Sequence, residues 1–403
     1  MEYGIKKGEL LNIKSKVKVI TINFMLLSHF LKGGNSYGIF DLTLWIFIIL
    51  YFCLIMRLLR NKKLILSLVD PFIVIFTIYI GIGLIYSEND VGGILKYLNL
   101  IIMNIGIVYI IRLLIDSKEE IYLLLKSYCL LTFVFDAIYI YFFLMVTNNQ
   151  YDISGRYFLF NINPIPTSML NALAVYCCLF FGIHKDEKFF SRKFCYLFGS
   201  ISLITILLSG SKGAMVGLII AMFFTIKYYI KSFNFKVFAG IFTALVLGAV
   251  ILLSTPLNSL MEKYIHRFTI ITQDRSTIER VEMYLLGLKK WAQSPIIGNG
   301  TGLYAVDYPH NVFIEIAAEN GSIALMLFLF IIMAIFFIKY KYRLSFKYNN
   351  LLCISWGFLI ISFITLITNW SYASHKYLYY SLGIFIFLTS IQKNEPAKFS
   401  DAN

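Results

Sequence analysis

Apolar runs of about 17 to 25 residues recur from one end of this chain to the other, and nothing else in the sequence limits its fold as much. At about 1.5 Å per residue, a helix of that length crosses the hydrocarbon of a bilayer. Lipid offers no water to the backbone, so each run must satisfy its own N–H and C=O groups as a helix. The balance of residues agrees. Of 403 residues, 59% are hydrophobic and 14% charged, whereas soluble domains are roughly a quarter charged. The expectation is an all-α, polytopic membrane protein in which residues 1–403 form one integral membrane domain.

The runs fall near 17–31, 38–58, 64–86, 91–115, 121–147, 164–183, 194–210, 212–231, 236–255, 311–338, 350–370 and 376–392, about twelve transmembrane helices. The first follows a basic stretch and lacks a small-residue cleavage site, so it reads as a retained span. Lys and Arg gather in alternate loops: Arg57 to Lys63, Arg112 to Lys118, Lys185 to Lys193, Lys227 to Lys236, and Lys339 to Lys347. By the positive-inside rule these loops and both termini are cytoplasmic. The net charge of +14 belongs to this pattern. No basic stripe with interleaved aromatics lies outside the spans, so nucleic acid is not an expected partner. The six cysteines all fall in or at the ends of apolar segments, without metal or disulfide spacing, and read as small core residues.

Residues 256–309 then form one large extracytoplasmic loop between the ninth and tenth spans. "STIE" at 276–279 has the form of a capping box. Ile278, Val281, Leu285, Leu288 and Ala292 follow at helical spacing, with Glu279, Glu282, Lys289 and Lys290 off that stripe. This predicts an amphipathic helix lying on the membrane surface. "SPIIGNGTG" at 294–302 ends it with Pro and three Gly.

A few cations stand on the side the rule should leave sparse. Arg156 precedes a span. Lys212 sits in "LLSGSKGAMVG", where free N–H groups and the positive end of a helix suit an anion. Arg275 and Arg280 flank the start of the surface helix. His310 follows Pro309 at the expected first turn of the tenth span, where a helix N-terminus favours a neutral ring able to accept a proton. Asn311 and Glu319 are read as groups that orient His310 or pack helices. Asp41, Asp70, Asp136 and Lys96, in or at spans, are read as interhelical hydrogen-bonding groups, with a proton relay as the alternative. There is no outward Asp-x-Asp, Gly-x-Ser-x-Gly or His-Glu-x-x-His, and no metal or cofactor is expected.

Four pieces, "GRYFLFNINPIPTSM", "LSGSKGA", "RVEMYLLGLKKWAQSPIIGNGTG" and "HNVFIEIAAENGSIAL", stand in this order in the last two thirds of the chain. Together they resemble the O-antigen polymerase and ligase family of bacterial envelope glycan enzymes. The first looks like the family's Arg and Asn-Pro step, the second its Ser-Arg-Gly turn. The third looks like its Arg, amphipathic helix, Pro and Gly-x-Gly. The fourth looks like its His-Asn opening and Glu-x-Gly step. The turn departs from the pattern by carrying Lys212 where the family has Arg. Lys acts as a point charge, whereas Arg can grip a phosphate through two parallel bonds.

The resemblance implies a GT-C-like, metal-independent glycosyltransferase. Its partners would be a polyprenyl-diphosphate-linked glycan donor, a lipid-linked acceptor and membrane lipid, with a chain-length regulator as a further candidate. In this reading His310 and Arg280 are catalytic, and Arg156, Lys212 and Arg275 bind the diphosphate. The expected activity is polymerisation of repeat units of O-antigen or capsule type. A ligase moving the finished glycan to lipid A–core or protein is the alternative. A lipid-linked oligosaccharide flippase is the alternative from another class.

Overall fold

The structure is a computed structural model and describes residues 7–31, 42–60, 62–145, 164–184, 189–229, 275–304, 308–346 and 349–394. Every regular element among them is helical. In chain order these are α1 (Lys7–Leu31), α2 (Leu42–Leu59), α3 (Val69–Ile82), α4 (Asp90–Leu114), α5 (Lys118–Met145) and α6 (Pro164–His184). Then come α7 (Arg192–Ser209), α8 (Lys212–Tyr229), α9 (Arg275–Gln293), α10 (Val312–Lys341), α11 (Asn350–Asn369) and α12 (Lys376–Asn394), with one further helical turn at Arg343–Phe346 between α10 and α11. Among the described residues six helices are long and apolar enough to cross a membrane: α4, α5, α6, α7, α10 and α11. Shorter apolar helices stand where spans were expected at 38–58, 64–86 and 212–231. The span expected at 236–255 lies outside the described residues.

The middle of the bundle is α6, 89% of whose apolar window is buried. It packs on α7, α8 and α11. Close approach at this centre rests on a missing side chain: a Cβ on Gly357 of α11 would lie 2.0 Å from the Tyr176 ring of α6. Small residues serve the same purpose wherever membrane helices meet. At the periphery Ile48, Phe52, Ile78 and Phe224 are exposed, as expected of surfaces that meet lipid.

The polar groups inside the bundle link helices. Asp70 of α3 takes a two-pronged bond from Arg112 of α4. Asp136 of α5 accepts from Ser202 of α7 at 2.7 Å. Lys96 of α4 bridges Glu315 and Glu319 of α10 at 2.6 and 2.8 Å. Asp41 lies outside the described residues. At one end of the bundle Lys18, Arg57 and Lys62 converge on Asp116, tying α1 and α2 to the α4–α5 junction. Burial raises the Asp116 carboxyl, but the three cations outweigh it and hold the group below its ordinary value.

The span expected near 311–338 is α10, but it is not straight. Phe313 and Phe328 are fifteen residues apart, about 22 Å along a straight helix, yet their ring centroids lie 6.1 Å apart. The helix therefore bends sharply at Gly321, whose φ of 70° and ψ of −174° are non-helical. Breaking a helix in lipid frees backbone groups that must be paired again. Segment 295–300 pairs them. Ser322 N donates to the Pro295 carbonyl at 2.9 Å, Asn299 N to Ala318 O at 3.1 Å, and Gly300 N to Glu319 O at 2.8 Å. Gly321 is required twice over: its φ suits glycine, and a Cβ there would meet the Ile296 carbonyl oxygen at 2.1 Å.

The amphipathic helix read from the sequence is α9. It begins at Arg275, one residue before the expected N-cap Ser276. Ile278, Val281, Leu285 and Leu288 point away from the bundle and are exposed. The opposite face packs on α10, with Gly287 against Ile314.

Candidate functional site

Asn369, the last residue of α11, is buried and gathers three distant parts of the chain. From α9, Arg280 Nη2 donates to Asn369 Oδ1 at 2.9 Å. From the turn before α10, the Tyr308 hydroxyl donates to the Asn369 carbonyl at 3.1 Å, and His310 Nδ1 lies 3.2 Å from the same oxygen. From the start of α8, Gly213 lies so close that a Cβ would be 1.9 Å from Asn369 Nδ2. Lys212 is therefore the neighbour of a residue in van der Waals contact with this hub. Asn369 Nδ2 in turn donates to Thr368 Oγ1 at 2.8 Å.

The geometry selects a tautomer for His310. A backbone carbonyl can only accept, so Nδ1 carries the hydrogen of that bond. In the neutral ring Nε2 is then the basic nitrogen. His310 also has a φ of 52°, the one positive value on a non-glycine residue among the described residues. Such a conformation costs about 1–3 kcal/mol and persists where the surroundings impose it, often at working sites. The Tyr308 ring lies 4.5 Å from the imidazole. Burial, with the nearby Glu315, pushes the Tyr308 hydroxyl well above its ordinary value, so it remains a donor.

Asn311 is the N-cap of α10: its Oδ1 accepts from Phe313 N at 3.0 Å and Ile314 N at 3.3 Å. His310 thus precedes the helix rather than standing in its first turn. Glu319 does not touch His310. It accepts from Lys96, from Tyr304 N at 3.0 Å and from the Tyr372 hydroxyl at 2.8 Å. Asn311 thus caps α10, and Glu319 ties α10 to α4 through Lys96.

The segment after Asn369 is pinned from the inside. Ser371 Oγ donates to Glu315 Oε1 at 2.5 Å and Tyr372 N to Glu315 Oε2 at 3.3 Å. Asn99 and Asn104, in a π-helical stretch of α4 (Asn99–Ile105), both donate to the Ala373 carbonyl, at 2.7 and 2.6 Å. The second histidine nearby, His375, is a structural cap. Its Nδ1 accepts from Leu378 N at 3.1 Å and its Nε2 meets Thr365 Oγ1 at 2.9 Å, while burial pushes the ring down to about 3.

The structure thus brings Arg280 and His310 onto one residue and sets Lys212 beside it. Arg275 is the first residue of α9, and its side chain lies outside the described part. Arg156 also lies outside the described residues. Among the described residues no cluster of three or more His, Cys, Asp or Glu could hold a metal.

Residues 197–329 match the family model described as O-antigen ligase. The match supports the O-antigen polymerase and ligase family. The matched stretch contains Lys212, Arg275, Arg280, His310, Asn311 and Glu319, together with the break at Gly321. Asn369 and Lys96 fall outside it. No curated protein matches the chain. The six helices among the described residues that are long and apolar enough to cross a membrane, with the match over 197–329, point to an integral membrane protein, and the matched family implies a glycosyltransferase-like enzyme with lipid-linked glycan substrates.

Asn369 and Tyr308 were not legible as site residues. A lone Asn closing an apolar run is common, and the only local signal is the polar island "TNWSYASH" at 368–375.

Proposed function

We propose that this protein polymerises lipid-linked oligosaccharide repeat units on the extracytoplasmic face of a bacterial inner membrane. It would transfer the growing glycan from polyprenyl diphosphate to the non-reducing end of a new repeat unit. The observation that carries this reading is the meeting of Arg280 and His310 on Asn369. Their orientation to the outside rests on the loop charges.

The acceptor hydroxyl oxygen attacks the anomeric carbon of the donor, and its proton passes to Nε2 of His310. The bond from that carbon to the diphosphate oxygen breaks, and the electron pair leaves with the polyprenyl diphosphate. Negative charge grows on the leaving group. Arg280, held in place by Asn369, and Lys212, at the N-terminus of α8, supply positive charge before it develops, which is how preorganised groups lower such barriers. Arg156 and Arg275 are further candidates for the diphosphate. The reaction needs no metal, because cationic side chains take the role that a metal would have.

A ligase would use the same donor and the same cations. The polymerase reading rests on the first half of the chain, whose lack of family features suits a narrow acceptor. A flippase draws some support from the bend at Gly321 and the buried Lys96 pair, since broken helices and buried charges are common in transporters. The match over 197–329 favours transfer chemistry. Glycan length in a strain lacking the gene separates the three. Single capped repeats with no long chains support the polymerase. Long chains stranded on the carrier lipid indicate a ligase, and absence of any outward repeat indicates a flippase.

A further inference from the structure

Asp136 stands apart from the other buried acids. Asp70 is paired with Arg112, and Glu315 and Glu319 share Lys96. Asp136, in the middle of α5, is fully buried and makes no ion pair among the described residues. Its carboxyl oxygen Oδ2 accepts from Ser202, but Oδ1 has no partner. The side chains of Thr205 on α7 and Asn171 on α6 face the same carboxyl. Asn171 uses its Nδ2 on the Thr167 carbonyl one turn earlier, at 2.9 Å. Its Oδ1 is left buried without a partner, and so is Thr167 Oγ1.

Two helices, α5 and α6, thus each leave a buried oxygen without a partner at a carboxyl that is negative when ionised. A lone carboxylate inside a membrane bundle is expensive unless a positive charge joins it. Oxygen ligands suit hard cations, and one carboxylate neutralises a monovalent ion, whereas a divalent ion would leave a net charge buried. We infer that Asp136, with Asn171 beside it, forms a binding site for a single positive charge, taken as a proton or as a sodium ion. The site is separate from the Asn369 hub and does not depend on the glycosyl-transfer reading. It lies between α5, α6 and α7, and α7 ends at the turn that carries Lys212. Its occupancy therefore bears on the packing beneath that turn.

A hydrophobic carbodiimide tests this on the full-length protein in detergent micelles. The protonated carboxyl adds across the N=C=N unit, and the adduct rearranges to a stable N-acylurea that keeps every atom of the reagent. A carboxylate holding sodium does not react. The reagent is dicyclohexylcarbodiimide, applied in mildly acidic choline buffer with and without sodium chloride, and the adduct is located by peptide mass spectrometry. The expected result is an adduct on Asp136 and none on Asp70, whose carboxylate is held by Arg112. Labelling that persists in sodium assigns the proton. Labelling in choline that sodium suppresses and potassium does not assigns sodium. Asp136→Asn, a neutral isostere, should keep the fold and lose the adduct. No adduct on Asp136 in either buffer, or equal labelling of Asp70, overturns the site.

Discussion

Replacing Asn369 with Ala removes the oxygen that holds Arg280 while leaving the backbone carbonyl that holds His310 and Tyr308. The variant therefore isolates the cation end of the site from the base end. A hydrogen bond to a charged group contributes about 1.5–3 kcal/mol. If that bond keeps Arg280 aimed at the leaving group, its loss raises the barrier by a similar amount. At about 1.4 kcal/mol per decade, transfer should slow roughly ten- to 150-fold. The assay is glycan chain extension in membranes containing equal amounts of wild-type and variant protein, with the unfolding midpoint of each checked in detergent. Arg280→Ala should be slower still, because the charge itself is gone. The double variant should be no slower than Arg280→Ala alone, since Asn369 acts through Arg280. Unchanged extension by Asn369→Ala, or fully additive losses in the double variant, would refute the reasoning.

Three further outcomes follow from the same contacts. Gly321→Ala places a Cβ 2.1 Å from the Ile296 carbonyl oxygen; a φ of 70° with a ψ of −174° is backbone that essentially only glycine adopts, so strain alone costs roughly 1–3 kcal/mol, and displacing segment 295–300 breaks bonds worth about 1 kcal/mol each. The variant should melt at a markedly lower temperature and lose extension, and a wild-type melting curve would contradict the fitted bend. Lys96→Met leaves two carboxylates buried without their cation, a change that typically costs about 3–5 kcal/mol; it should prevent stable insertion, whereas Lys96→Met combined with Glu315→Gln and Glu319→Gln should restore a folded protein by size-exclusion chromatography. Chelation of divalent metal should leave extension by purified protein intact, and dependence on Mg²⁺ or Mn²⁺ would oppose the proposed chemistry.

The sequence foretold what is local. An apolar run in lipid has little choice but helix, so α4 to α7 and α11 stand close to where hydropathy places them. The stripe from Ile278 to Leu288 is a property of one helix, and α9 shows it on an exposed face. The start of α10 near residue 311 was legible from hydropathy, but the cap at Asn311, which sets His310 one residue ahead of the helix, was not. The bend at Gly321 was not legible. A glycine in an apolar run is tolerated in a straight helix, and only the carbonyls and amides of segment 295–300 make the break affordable. Asn369 was invisible for a related reason: its partners come from residues 280, 308 and 310, and no spacing along the chain encodes that meeting. Lys96 was expected to bond between helices, but its partners Glu315 and Glu319 could not be named until α10 brought them to it.

His310 carries the central claim, that a proton acceptor and a cation work as one site around Asn369. The most direct test is the glycan length distribution made by His310→Ala in a strain lacking the wild-type protein, with the variant shown to reach the membrane in normal amount. The account predicts capped single repeats and no ladder of longer chains. A ladder of near wild-type length and intensity would contradict it.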